Sequence, residues 1–237
     1  MLTALLCPLT VVISLDREGR SLMNKEEILT RIGQAGIVAV VRADSVERSM
    51  AVAKACIAGG VKVIELTFTV PHADQAIANL VSDYADDPEV LIGAGTVMTA
   101  FQAESAIQAG AKFVVSPAFN AEVAVACNAA MVNYTPGCFT PTEVYQAKKY
   151  GASLVKIFPA SVVGPAIIKE LHGPFPEVRI MTTGGVSLDN LNDWFAAGAT
   201  AVGIGGSLVG NATTELATIQ KNAEQFTQKL AEWRADN

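Results

Sequence analysis

The chain has 237 residues, with 17 Lys and Arg against 23 Asp and Glu, so its formal net charge is −6. About half of it is apolar (51%) and only 17% is charged, which excludes a disordered tail, because such segments combine low hydrophobicity with high charge. An acidic balance without a basic cluster argues against nucleic acid as a partner.

Residues 1–15 form an apolar run, and 16–20 are mostly charged. A secretory signal carries its positive charge before the apolar run and ends in small residues. This segment does neither, and no run reaches the ~18 apolar residues of a membrane helix. Met23-Asn24-Lys25-Glu26-Glu27 reads as a second beginning, with Asn24 suited to cap a helix whose first turn is acidic. The expectation is an upstream extension over 1–22 and one domain over 23–237, with a weak membrane anchor as the alternative for the extension.

From Ile37 one rhythm repeats. Apolar runs at 37–42, 61–69, 91–95, 113–117, 133–137, 154–159, 179–185 and 201–206 alternate with amphipathic stretches such as 45–58, 73–84, 99–109, 140–149 and 188–197. Gly59, Gly110, Gly151 and Gly198 stand where helices should stop, as left-handed caps do. Strand alternating with helix implies parallel strands and helical crossovers. Eight such units predict an α/β fold, a single (β/α)8 TIM barrel with an N-terminal helix. An open doubly wound sheet is the alternative, but no G-x-G-x-x-G follows the first strand.

Parity within the runs places individual side chains. In 61–69, Ile64, Leu66 and Phe68 share one face, and Val63, Glu65, Thr67 and Thr69 the other. In 154–159, Val155 and Ile157 oppose Leu154, Lys156 and Phe158. The all-apolar faces suit the helix layer, so Glu65 and Lys156 are expected inside the barrel.

A lysine in the middle of L-V-K-I-F-P loses hydration, and a desolvated amine that sheds its proton is a nucleophile able to form a Schiff base. The plain alternative is a strand-end lysine reaching out to solvent. Glu65 in V-I-E-L-T would make such burial tolerable as an ion partner, or serve as the proton-transfer group that imine chemistry needs. Lys62 and Lys112 start their strands, on the face that serves stability. Lys54, Lys148, Lys149 and Lys169 read as solvated helix faces. Glycine pairs end the last two runs, in T-T-G-G-V-S and I-G-G-S-L-V. They suit close backbone approach to a phosphate, with Thr183 and Ser207 supplying hydroxyls, or else form plain tight turns.

Only His72 and His172 are present, far apart, which leaves little room for a zinc site or a His-based triad. Cys7, Cys56, Cys127 and Cys138 are scattered without a C-x-x-C and read as reduced cytosolic thiols. Cys138 reads as a small packing residue.

In sequence order the motifs G-G-V-x-x-I-E-x-T (59–67), I-G-A-G-T-V (92–97), S-P (116–117), P-G (136–137), K-I-F-P-A (156–160), G-P-F-P-x-V (173–178), T-G-G-V-S (183–187) and G-G-S (205–207) make the chain resemble the class I aldolases that cleave 2-keto-3-deoxy-6-phosphogluconate (KDPG) and 4-hydroxy-2-oxoglutarate (KHG). The resemblance covers about 36–209. It implies that Lys156 is the Schiff-base lysine and Glu65 the general acid/base. Thr96 would lie near the bound pyruvyl group, with Pro117 and Phe158 lining the site. Gly184, Gly185, Gly206 and Ser207 would belong to the segments that hold the phosphate. It further implies a cytoplasmic homotrimer that uses no metal and no cofactor, with a phosphorylated keto acid and pyruvate as its small-molecule partners. Many members carry an Arg four residues after the glutamate to grip the substrate carboxylate. Here that position is Thr69, and Arg42 is the expected replacement. The alternatives are the galactonate epimer as substrate, a phosphosugar isomerase or epimerase barrel, and a non-catalytic phosphosugar-binding barrel.

Overall fold

Each alternating run becomes a strand and each amphipathic stretch a helix. The computed structural model describes residues 23–237, and the expected extension 1–22, with Cys7, lies outside the described residues. In chain order the elements are α1 (Lys25–Ala35), β1 (Ile37–Val41), α2 (Val46–Ala58), β2 (Val63–Thr67), α3 (Ala73–Asp83), β3 (Leu91–Gly95), α4 (Ala100–Gln108), β4 (Phe113–Val115), α5 (Ala121–Ala129), β5 (Asn133–Thr135), β6 (Gly137–Cys138), α6 (Pro141–Lys149), β7 (Leu154–Ile157), α7 (Ala160–Val163), α8 (Ala166–His172), β8 (Arg179–Thr183), α9 (Leu191–Ala196), β9 (Ala201–Ile204), α10 (Gly206–Val209) and α11 (Leu216–Asp236).

All the strands pair in parallel, in the order β5-β4-β3-β2-β1-β9-β8-β7-β6. β5 and β6 are halves of one stave, broken at Pro136, which has no N–H to give the ladder. The Pro136 carbonyl still accepts from Lys156 N–H at 2.8 Å. Nine strands, two of them halves of one stave, therefore curl round as eight staves, the barrel expected from the rhythm and not an open sheet.

Parity divides the core in two. Ile64, Leu66, Val155 and Ile157 face outward and pack with helix residues such as Ile77, Leu80, Ile168 and Phe226. Val63, Leu91, Phe113, Leu154 and Met181 face inward and pack with Ile28, Leu29 and Ile32 of α1. That helix closes the N-terminal end of the barrel like a stopper. Its start is the expected one, since Asn24 accepts from Glu27 N–H at 2.9 Å. Arg179 pairs with Glu26, and Asn133 donates to the Lys25 carbonyl at 2.6 Å, so β8 and β5 hold the stopper in place. Lys62 pairs with Asp87 at 3.5 Å, the structural role its place before β2 suggested.

One expected cap shifts. Gly110, Gly151 and Gly198 take the left-handed turn, but after α2 it is Gly60, at φ 95°, that does so, while Gly59 sits at −81°. Gly59 is needed for a different reason: a methyl there would overlap the Gln220 carbonyl and Ala223 Cβ of α11. Six of the eight expected runs give strands that stop short of their C-terminal limit, whereas β3 ends at Gly95 as expected and β6 runs one residue further, to Cys138. Arg42, Thr69, Phe158, the Gly184–185 pair and Gly205 therefore lie past the strand ends, with Gly206 opening α10, at the end of a barrel that carries chemistry.

Candidate active site

Lys156 lies inside β7, facing inward level with Gly137 and Met181. Glu65 lies inside β2, facing inward level with Val40 and Gly93. Both are buried, at 3% and 0% exposure, and Lys156 Nζ is 3.5 Å from Glu65 Oε1. The Phe158 ring centroid is 5.3 Å from the same nitrogen. Room for the carboxylate comes from Gly95 at the end of β3, where a methyl would overlap Glu65 Oε1 and Cγ.

This pair is poorly made for holding a fold together. A buried ion pair offsets its desolvation only with short, saturated hydrogen bonding. Here the one contact is long, and Glu65 Oε2 has no protein partner among the described residues. An amine and a carboxylate kept close but unsaturated are free to exchange protons with a third reactant, which is what acid/base chemistry requires.

The other expected residues line the same end. Thr96 follows β3 with a left-handed φ of 54°, a conformation that strains a β-branched residue and is commonest where function holds it. Pro117 is half-buried, and its carbonyl fills the space a side chain at Gly137 would need. Arg42 follows β1 and is exposed. Cys138 is buried in β6, and burial pushes its thiol up to about 12, so it stays protonated and inert, the packing role read from sequence. His72 is exposed at the start of α3, and the His172 ring meets the Val178 carbonyl at 3.2 Å. Among the described residues no cluster of three His, Cys, Asp or Glu side chains stands ready for a metal.

The glycine pairs converge. Gly184 and Gly185 have φ of 99° and 77°, and Ser207 Oγ donates to the Val186 carbonyl at 2.6 Å, tying the loop after β8 to α10. Gly205 and Gly206 face open space. The N–H groups of Gly206 and Ser207 donate to no protein acceptor among the described residues. Thr183 is buried and faces inward against Gly203, and its Oγ1 is unpaired among the described residues. Amides beside a helix start, on glycines that expose the backbone, are suited to an anion.

The structure thus brings Lys156, Glu65 and Phe158 into one chamber, with Arg42, Thr96, Pro117, Thr183 and the glycine loops on its open end. Two features escape sequence reasoning: the seat that Gly95 provides for Glu65, and a hydroxyl chain through Thr67 and Thr69. The first had a trace in I-G-A-G-T-V, which marks the glycine but not its neighbour.

The family model described as "Aldolase: KDPG and KHG aldolase" matches residues 28–225. The chain belongs to this aldolase family. It is 40% identical over 170 residues to the 2-dehydro-3-deoxy-phosphogluconate aldolase of Treponema pallidum, covering 71% of this chain and 80% of that one. Against the KHG/KDPG aldolase of Escherichia coli K12 the identity is 34% over 183 residues, covering 77% and 83%. A solved structure described as native KDPGal superposes with a TM-score of 0.79 at 30% identity, covering 84% of this chain and 96% of the other. The protein is therefore a carbon–carbon lyase of the Schiff-base aldolase type, as the motifs implied, and not an isomerase or a binding barrel.

Proposed function

We propose that this aldolase cleaves 2-keto-3-deoxy-6-phosphogluconate to pyruvate and glyceraldehyde 3-phosphate, and 4-hydroxy-2-oxoglutarate to pyruvate and glyoxylate, through an imine on Lys156. The observation that carries the proposal is the buried amine 3.5 Å from a buried carboxylate, at the barrel end that also holds two converging glycine loops.

The cycle uses each group once or twice. The free amine of Lys156 attacks C2 of the keto acid, and the carbonyl oxygen leaves as water to give an iminium. Glu65, through a water, takes the proton of the C4 hydroxyl. The C3–C4 bond breaks, C4 becomes the aldehyde, and the bonding pair moves into an enamine whose nitrogen is the electron sink. Glu65 returns its proton to C3, and water then attacks C2 to release pyruvate and restore the amine. In this reading Thr96, Pro117 and Phe158 enclose the pyruvyl end and Arg42 grips its carboxylate, which suits a bidentate guanidinium. Thr183, Gly184, Gly185, Gly206 and Ser207 hold the phosphate, so binding far from the reaction helps align the bond that breaks.

The assembly we propose is a homotrimer in the cytoplasm. Cys56, Cys127 and Cys138 are free and buried, in keeping with a reducing compartment, and Phe101 is 78% exposed, a large apolar side chain available to a neighbour. Sedimentation at micromolar concentration tests the assembly.

Steady-state pyruvate release tests the substrate. Highest kcat/KM on the gluconate substrate is expected, with hydroxyoxoglutarate second. Preference for the galactonate epimer overturns the substrate assignment. For Arg42→Ala a higher KM for keto acids is expected, and an unchanged KM removes Arg42 from the site.

A further inference from the structure

Thr67 and Thr69 carry hydroxyls that the cycle above leaves without a task. Thr67 ends β2, is fully buried, and donates from Oγ1 to the Val41 carbonyl at 3.1 Å. Thr69 Oγ1 is 2.7 Å from Thr67 Oγ1. A hydroxyl has one proton and two lone pairs. The Thr67 proton is committed to Val41, so Thr69 must be the donor to Thr67. The chain of hydroxyls then runs one way, from Thr69 through Thr67 to the backbone of β1, and Thr69 is left with lone pairs alone to offer. Its place is fixed by a turn, in which Val70 N–H donates to the Thr67 carbonyl at 3.0 Å and Phe68 N–H to the Gly95 carbonyl at 2.7 Å.

The residue after Val41 is Arg42. Val41 is level with Leu66, so Arg42 comes level with Thr67, on the inward parity of Val38 and Val40. A guanidinium offers only donors. Arg42 is exposed and forms no ion pair among the described residues. A long unpaired side chain must lose rotamer freedom to bind anything. An oxygen that can only accept, held rigid at the same rim, is the partner such a group lacks.

We infer that Thr69 is a positioning residue: Arg42 makes no side-chain hydrogen bond of its own among the described residues, and as its guanidinium closes on the keto-acid carboxylate Thr69 accepts one N–H and aims the rest of the fork. The inference rests on the reading of Arg42 given above. The charge then comes from the end of β1 and the support from the end of β2.

Thr69→Val removes the oxygen and keeps the shape, whereas Thr69→Ser keeps the oxygen. For Thr69→Val, KM for keto acids should rise about tenfold while kcat stays within about twofold. Thr69→Ser should restore KM to near the starting value. Because Thr69 acts through Arg42, adding Thr69→Val to Arg42→Ala should raise KM no further. An unchanged KM in Thr69→Val, or effects that multiply in the double variant, overturns the inference and assigns Thr69 to the turn alone. If Arg42→Ala itself leaves KM unchanged while borohydride still fixes pyruvate on Lys156, the Thr69 inference falls and the imine reading stands. If the unaltered protein traps no pyruvate, it is the imine reading that falls.

Discussion

The two ends of this barrel share the same strands and have opposite characters. Toward the N-terminal end, Val63, Leu154 and Met181 pack with the α1 stopper in a largely apolar floor, where the amide of Asn133 is bonded to the Lys25 carbonyl. Two residues further along the same faces stand Glu65, Lys156 and Thr183. A step of two residues keeps a side chain on the same face and carries it about 6.6 Å along the strand. Over that distance the interior changes from close-packed hydrocarbon to a chamber of polar groups, two of which, Glu65 Oε2 and Thr183 Oγ1, lack protein partners among the described residues. The close-packed floor beneath the reactive groups keeps their surroundings fixed. Stability and chemistry should therefore respond separately to substitution.

The separation is broken most severely at Lys156. Lys156→Met should reduce pyruvate release to background while circular dichroism shows a retained fold. Turnover that survives would move the chemistry elsewhere. At the floor, Phe113 is 1% exposed and fills the inner cluster, so Phe113→Ala should cost about 3–5 kcal/mol of unfolding free energy in urea. At low temperature its kcat should stay close to that of the parent protein, and a large fall in kcat would show that floor and chamber are coupled. Gly95→Ala sharpens the contrast from the chamber side. The added methyl must displace Glu65, and a misplacement of about 1 Å costs about a hundredfold in rate. The smallest effect belongs to the rim. Glu143 accepts from Phe139 N–H and from the N–H and hydroxyl of Thr140, which hold its carboxyl below the usual range. A carboxyl lowered by folding stabilises fully above its ordinary pKa, and that contribution is lost as pH falls through the lowered folded value. Comparing Glu143→Gln with the parent by urea unfolding from about pH 6 to about pH 3 should show a deficit of about a few tenths of a kcal/mol that vanishes on acidification, small because the group is exposed. A deficit that grows with acid would contradict the assigned sign.

Much of this was readable from residues alone, and the reason is local. Strand parity needs only a period of two, so the inward places of Glu65 and Lys156 followed from 61–69 and 154–159 without knowing the neighbours. Helix starts at Asn24, Ser45, Thr99 and Thr140 are likewise local, and each side chain caps its own helix. What stayed hidden depends on contacts between distant segments. Gly95 faces Glu65 across a strand pair, and Gly59 faces α11. The break at Pro136 was hidden because proline removes one ladder bond without spoiling the alternation on either side. α5 gave a weak signal because A-E-V-A-V-A-C-N-A is small and apolar on nearly every side. In the site, the lysine, the glutamate and the glycine pairs stand out as residue types, whereas the direction of the Thr69–Thr67 chain needs coordinates, because it is decided by which oxygen the Val41 carbonyl engages.

The central claim is that the buried nitrogen on β7 bonds covalently to a keto acid. Borohydride reduction of the protein with pyruvate, followed by peptide mass mapping, measures it directly. The account predicts one reduced pyruvyl adduct, on Lys156 and absent from Lys156→Met. A Lys156 peptide recovered unmodified, or an adduct on another lysine, would contradict it.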